Sequence, residues 1–271
     1  MKHNFTGNYA EVNGLKLYYE IHGQGEPLIL LHGGLGLIEM MSEVLTTLAK
    51  DRQVIAVDLQ GHGRTADIDR LLRYALMADD IAALIRHLGF AQVDVMGYSL
   101  GGGTALRIAI QHPNLVRKLV LVSVSFKRTG SYPEVLAAMD QMGGAAAEFM
   151  QGAPIYQSYV RISPTPENFP ILLDKLGDML RQPYDWSTEV AALTMPILLV
   201  FADADSVSTD HIAEFYKLLG GGQRDAGWDG AYKPTTQLAI LPGQTHYDIF
   251  TSSLLPAVVT PFLAAPPPTG A

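Results

Sequence analysis

The stretch Val93-Asp94-Val95-Met96-Gly97-Tyr98-Ser99-Leu100-Gly101-Gly102-Gly103 decides the fold of this chain. A short run of strand character, Val93 to Met96, leads into Gly97. One serine follows, and then a helical pattern from Leu100 to Gln111. A sharp strand-to-helix turn lifts its central side chain out at the carboxyl edge of a sheet. The backbone of that side chain is strained, so the flanking positions must be small. Gly97 and Gly101 meet that demand, and Gly102 and Gly103 extend the small patch where helix meets sheet. Ser99 is therefore a candidate nucleophile.

Outward from this turn, apolar runs alternate with helical patterns. Upstream, Leu28–Leu31 and Val54–Val57 read as buried strands, with a helix from Ile38 to Ala49 between them. Met77, Ile81, Leu84, Ile85 and Leu88 mark one face of the next helix. Downstream, Leu119–Val122, Ile197–Phe201 and Gln237–Leu241 read as strands, and His211–Leu219 and Ile249–Phe262 as helices. At the start, Tyr9–Val12 and Leu15–Ile21 flank Asn13-Gly14, a pair that accepts positive φ in a hairpin turn. Alternation of this kind predicts an α/β fold with a mostly parallel sheet flanked by helices.

The stretch from Phe126 to Leu193 breaks the alternation. It is helical in pattern and reads as a cap (126–193) inserted into a core formed by residues 1–125 and 194–264. Pro154, Pro164, Pro166 and Pro170 predict short pieces rather than one long helix. Such a cap leaves the sheet at the edge that presents Ser99 and is expected to roof it. Met139, Met142, Phe149 and Met150 are the side chains expected to face the substrate, favouring uncharged molecules with apolar groups. Gly220–Pro234 reads as a long loop holding Trp228, and the tail 265–271, with three prolines, as disordered.

A serine hydroxyl needs a base. Of eight histidines, His246 follows the last strand, at the sheet edge where parallel-sheet active sites form. The base needs an acid to fix its tautomer, and Asp203 and Asp205 follow the Ile197–Phe201 strand at that same edge. The chain order Ser, Asp, His, together with Gly97-Tyr98-Ser99-Leu100-Gly101, resembles the α/β-hydrolase family from Tyr9 to Leu263. The resemblance implies a Ser99–His246–Asp205 triad, with Asp205 favoured over Asp203 by loop register. Ala202 stands where the family commonly has glycine. His32-Gly33-Gly34 resembles the oxyanion loop, so the backbone N–H groups of Gly34 and Leu100 are expected to stabilise developing negative charge, with Leu35 the alternative to Gly34. His32 and the turn Asp58–Thr65 are expected to be structural.

The reaction implied is hydrolysis of carboxylic esters through an acyl-enzyme, on a small-molecule substrate, with no cofactor or metal. Lactonase, carbon–carbon bond hydrolase and perhydrolase chemistry use the same triad, and a slow ligand receptor can share the fold. Epoxide hydrolases and dehalogenases in their usual form need a carboxylate where Ser99 stands. Composition agrees. The chain has 271 residues, 48% hydrophobic, enough for a sizeable core. A net charge of −8 without a Lys/Arg run argues against nucleic acid and anionic membranes. The absence of cysteine removes disulfides, thiolate metal sites and a cysteine nucleophile. Lacking an apolar leader, the chain reads as cytoplasmic; its oligomeric state is open.

Overall fold

The computed structural model describes residues 6–266, so the Pro-rich tail lies outside the described residues from 267 onward. Eight strands form one sheet in the order β1-β2-β4-β3-β5-β6-β7-β8. They are β1 (Thr6–Val12), β2 (Leu15–His22), β3 (Glu26–Leu31), β4 (Arg52–Val57), β5 (Val93–Tyr98), β6 (Val116–Val122), β7 (Ile197–Ala204) and β8 (Gln237–Thr245). The β1–β2 hairpin turns at Asn13 (φ 49°) and Gly14 (φ 78°), and β2 runs antiparallel to β4. The strands from β4 to β8 are mutually parallel, so their carboxyl ends share one edge.

Side chains alternate across the sheet and join two cores. Ile29, Leu31, Ile55, Val57, Val95 and Leu121 enter the larger core. It takes in α2 (Tyr74–His87), α3 (Leu100–Gln111), α8 (Ser187–Ala191) and α9 (Thr209–Leu218). Leu28, Leu30, Val54, Ala56, Met96 and Val122 point the other way, against α1 (Ser42–Leu48) and α10 (Leu254–Ala264). Both faces are apolar because both are covered, which is why these strands read as continuous hydrophobic runs.

Boundaries differ from expectation where prolines act. The helix expected from Ile249 begins as one 3₁₀ turn, Ile249–Thr251, and restarts at Leu254, which puts Pro256 in its first turn. Between β6 and β7 lie α4 (Pro133–Asp140), α5 (Ala147–Met150), α6 (Pro154–Ile162) and α7 (Phe169–Arg181). Pro154 and Pro170 open helices there instead of ending them, since proline loses nothing at a first turn. The stripe Leu172, Leu173, Leu176 and Met179 of α7 joins the larger core. Ion pairs from Lys175 to Asp67 (2.6 Å) and from Asp178 to Arg73 (2.8 Å) tie α7 to the loop after β4. Among the described residues no helix is long and apolar enough to cross a membrane.

Candidate active site

Ser99 stands between β5 and α3 at φ 51°, ψ −114°, a left-handed conformation that a side chain rarely adopts. The turn is held by contacts that leave no room for a Cβ on either side. One at Gly97 would run into the backbone of Gly101, and one at Gly101 into the carbonyls of Leu31 and His32. The turn at Ser99 is thus packed directly on the end of β3. Its hydroxyl lies 3.1 Å from His246 Nε2.

The other His246 nitrogen, Nδ1, lies 3.0 Å from Asp205 Oδ1. A carboxylate only accepts, so Nδ1 carries the proton and Nε2 is left to accept from Ser99. Asp205 Oδ2 accepts from the Ser123 hydroxyl at 2.5 Å and the Ala202 N–H at 3.0 Å; Oδ1 also accepts from the Val207 N–H at 3.2 Å. Burial alone would raise the Asp205 pKa. These hydrogen bonds and the nearby imidazole outweigh it and hold the group below the usual carboxylate value. Asp203, two residues away, does something different. It is exposed and accepts the N–H groups of Gly243 (2.9 Å) and Gln244 (3.1 Å), pinning the loop that leads to His246. Tyr98 adds a second tie, donating to the His246 carbonyl at 2.5 Å.

Gly34 and Leu100 face each other beside Ser99: a Cβ on Gly34 would lie 3.9 Å from that of Leu100. The N–H of Leu35 is already committed, donating to His62 Nε2 at 3.2 Å while Leu35 sits at φ 57°. Of the two N–H groups expected at this loop, that of Leu35 is thus already spent. Two buried histidines stiffen this loop. His32 Nδ1 donates to the Gly33 carbonyl (2.7 Å) and its Nε2 accepts from Leu59 (3.1 Å). His62 Nδ1 donates to the Gln60 carbonyl at 2.9 Å. Burial lowers their pKa values to about 3 and about 4, so both rings are neutral. With both nitrogens used, neither ring has a lone pair to offer a metal. Asp58 is engaged as well, by the N–H groups of Ile38 and Arg64.

The sheet edge and the segment between β6 and β7 enclose a cavity of about 310 Å³ that includes Ser99, Leu100, Gly34 and His246. Met139 and Met142 line it. Phe149 and Met150 do not, which corrects the sequence expectation. Phe149 is 89% exposed, and Met150 packs against the larger core. Both belong to the four-residue α5, too short to carry a periodicity that would show its inward face. Sequence reasoning also missed Ser123, Arg128 and Tyr184. Ser123 was within reach, because it directly follows a strand at the same edge. Arg128 and Tyr184 carried no local signal.

The family model described as "alpha/beta hydrolase fold" matches residues 26–248. A putative esterase/lipase of Haemophilus influenzae is 30% identical over 127 residues, 45% of this chain and 44% of that protein. A soluble epoxide hydrolase of a Corynebacterium species is 32% identical over 142 residues, 51% of this chain and 50% of its own length. The chain thus matches half or less of the length of these relatives. A carboxylesterase from Bacillus subtilis superposes with a TM-score of 0.71 at 18% identity, covering 96% of this chain and 92% of that one.

Proposed function

The chain belongs to the α/β-hydrolase family, and from that premise we propose that it is a serine esterase that cleaves small, largely apolar carboxylic esters through an acyl-enzyme. One observation carries the proposal: the unbroken hydrogen-bonded chain Ser99 Oγ–His246 Nε2 and His246 Nδ1–Asp205 Oδ1, open to the cavity. Ser99 stands where an epoxide hydrolase of the usual kind needs a carboxylate, which separates this chain from that relative's chemistry.

Ser99 Oγ attacks the ester carbonyl carbon while its proton passes to His246 Nε2. The carbonyl oxygen takes up negative charge between the N–H groups of Gly34 and Leu100. The C–O bond to the alcohol then breaks, and the alcohol leaves with the proton from Nε2. Water attacks the acyl-enzyme, giving its proton to His246, and the acid departs as Ser99 regains its hydrogen. Asp205 stays ionised throughout and holds the imidazolium.

A panel of p-nitrophenyl esters of increasing acyl length tests the reading. Turnover that disappears in Ser99→Ala, with an unchanged melting temperature, is expected. Near-normal rates in that variant would overturn it. Absence of turnover across the panel favours the receptor alternative.

A further inference from the structure

The cavity has a polar end that the chemistry at Ser99 does not use. Tyr74 begins α2 and Tyr184 precedes α8, and their rings meet edge to face at 5.9 Å. Tyr74 is seated against the nucleophile helix: a Cβ on Gly103 would run into its ring. Its hydroxyl makes no hydrogen bond among the described residues. The Tyr184 hydroxyl lies 3.1 Å from Ser125 Oγ.

Arg128 completes the group. Its backbone N–H donates to the Tyr184 carbonyl at 3.0 Å. Its Nε donates to the Leu180 carbonyl at 2.8 Å and its Nη2 to Asp140 at 2.5 Å, while Nη1 has no partner among the described residues. The Asp140 side chain is 47% exposed against 21% for Arg128, so water screens the acid more than the guanidinium. All four side chains line the cavity that contains Ser99. An arginine with N–H groups to spare, lining one cavity with three hydroxyls and acting electrostatically on that of Tyr184, is donor-rich chemistry suited to an anionic oxygen group.

The side of the ester that meets this group follows from the fold. The leaving alcohol takes its proton from His246, so it departs on the His246 side. There Tyr98, in contact with the His246 ring, packs with the α1–α10 core. Tyr74 and Tyr184 pack with the core on the opposite face of the sheet. A polar group packed on the core away from Tyr98 and His246 is the one that the acyl chain, rather than the leaving alcohol, would reach.

We infer that Tyr74, Ser125, Arg128 and Tyr184 form a binding site for a carboxylate at the far end of the acyl chain, which makes half-esters of dicarboxylic acids the preferred substrates. The inference rests on Ser99 being the nucleophile of an esterase. It replaces the expected preference for uncharged esters while keeping the apolar walls, Val124, Val135, Met139 and Met142, for the methylenes between the two carboxyl carbons.

Rates on monomethyl adipate and methyl hexanoate, which share a six-carbon acyl chain, test it in a pH-stat. The half-ester is expected to have a kcat/KM about tenfold higher or more. In Arg128→Gln the ratio of half-ester to neutral ester should fall by about 30-fold, with partial recovery in Arg128→Lys; in Tyr74→Phe it should fall about threefold. A wild-type ratio at or below one, or equal losses on both esters in Arg128→Gln, would overturn the inference. If Arg128→Gln does not fold, Tyr74→Phe carries the same test. Calorimetry with free adipate and hexanoate keeps the two readings apart. Adipate binding that weakens in these variants while neither ester turns over indicts the role of Ser99 alone. Equal affinity for the two acids overturns the carboxylate site whatever the turnover.

Discussion

The carboxyl edge of the sheet and the helical segment facing it enclose the same cavity, yet they are held by different means. At the sheet edge each loop leaves a strand whose register is fixed by pairing, on both sides for β3, β5, β6 and β7 and on one side for β8. Polar side chains then lock it: Asp203 holds the β8 loop, Ser123 holds Asp205, and His32 and His62 hold the oxyanion loop. The facing segment is built of short helices. An apolar stripe of α7 and two ion pairs anchor it. The difference teaches that, on the proposed function, chemistry resides on rigid, strand-defined positions and selection on a wall whose details tertiary packing decides.

The largest effect expected at the sheet edge separates its two neighbouring carboxylates. Asp205→Asn should lower kcat by about 10⁴, because the amide can no longer hold His246 in the working tautomer. Asp203→Asn loosens only the loop and should cost about tenfold or less. Steady-state kinetics on one ester decides it, and the reverse ranking would move the acid to Asp203.

Acid should loosen the two regions' anchoring next. Burial lowers the pKa of His32 to about 3 and of His62 and His211 to about 4; His211 accepts the Phe126 N–H where the helical segment begins. Unfolded, these histidines bind protons from about pH 6.5 downward, while folded they do not. Their contribution to stability is therefore present at neutral pH and lost as pH falls from 6.5 toward 4. Asp58 opposes them, since burial raises its pKa to about 7 and the folded form takes up a proton earlier. The three histidines outweigh it, for a net loss of the order of 2–3 kcal/mol between pH 7 and pH 5. Urea unfolding at the two pH values measures this. Constant stability would show that these rings are not held neutral.

Smaller effects belong to the facing wall. Met142→Ala or Met139→Ala enlarges the cavity and should shift the relative rates on short and long acyl chains by about three- to tenfold. Phe149→Ala should leave them unchanged within about twofold, because its ring stands in solvent. A strong effect at Phe149 would mean that the segment closes over substrate differently.

This contrast also explains what could be read from the chain alone. Six strands were legible as apolar runs bounded by turn residues and the first two by the Asn13-Gly14 turn between them, and parallel pairing sends the ends of the strands from β3 onward to one edge. Ser99, His246 and Asp205 were legible for the same reason, since each follows such a run. The wall was not. Helices of four to nine residues, such as α4, α5 and α6, give too few turns to fix a buried face, and Met142 lies between α4 and α5 with no periodicity at all, so Phe149 and Met142 look alike in sequence. Arg128 pairs with Asp140, Leu180 and Tyr184, contacts that no local pattern announces.

The central claim is that Ser99 is the one activated hydroxyl, raised by its turn and deprotonated by His246. A fluorophosphonate probe followed by peptide mass spectrometry tests it most directly, because labelling requires an activated serine and not the right substrate. The account predicts a single adduct on Ser99, lost in His246→Ala although the serine remains. Labelling at Ser123 or Ser125, or undiminished labelling of Ser99 without His246, would contradict it.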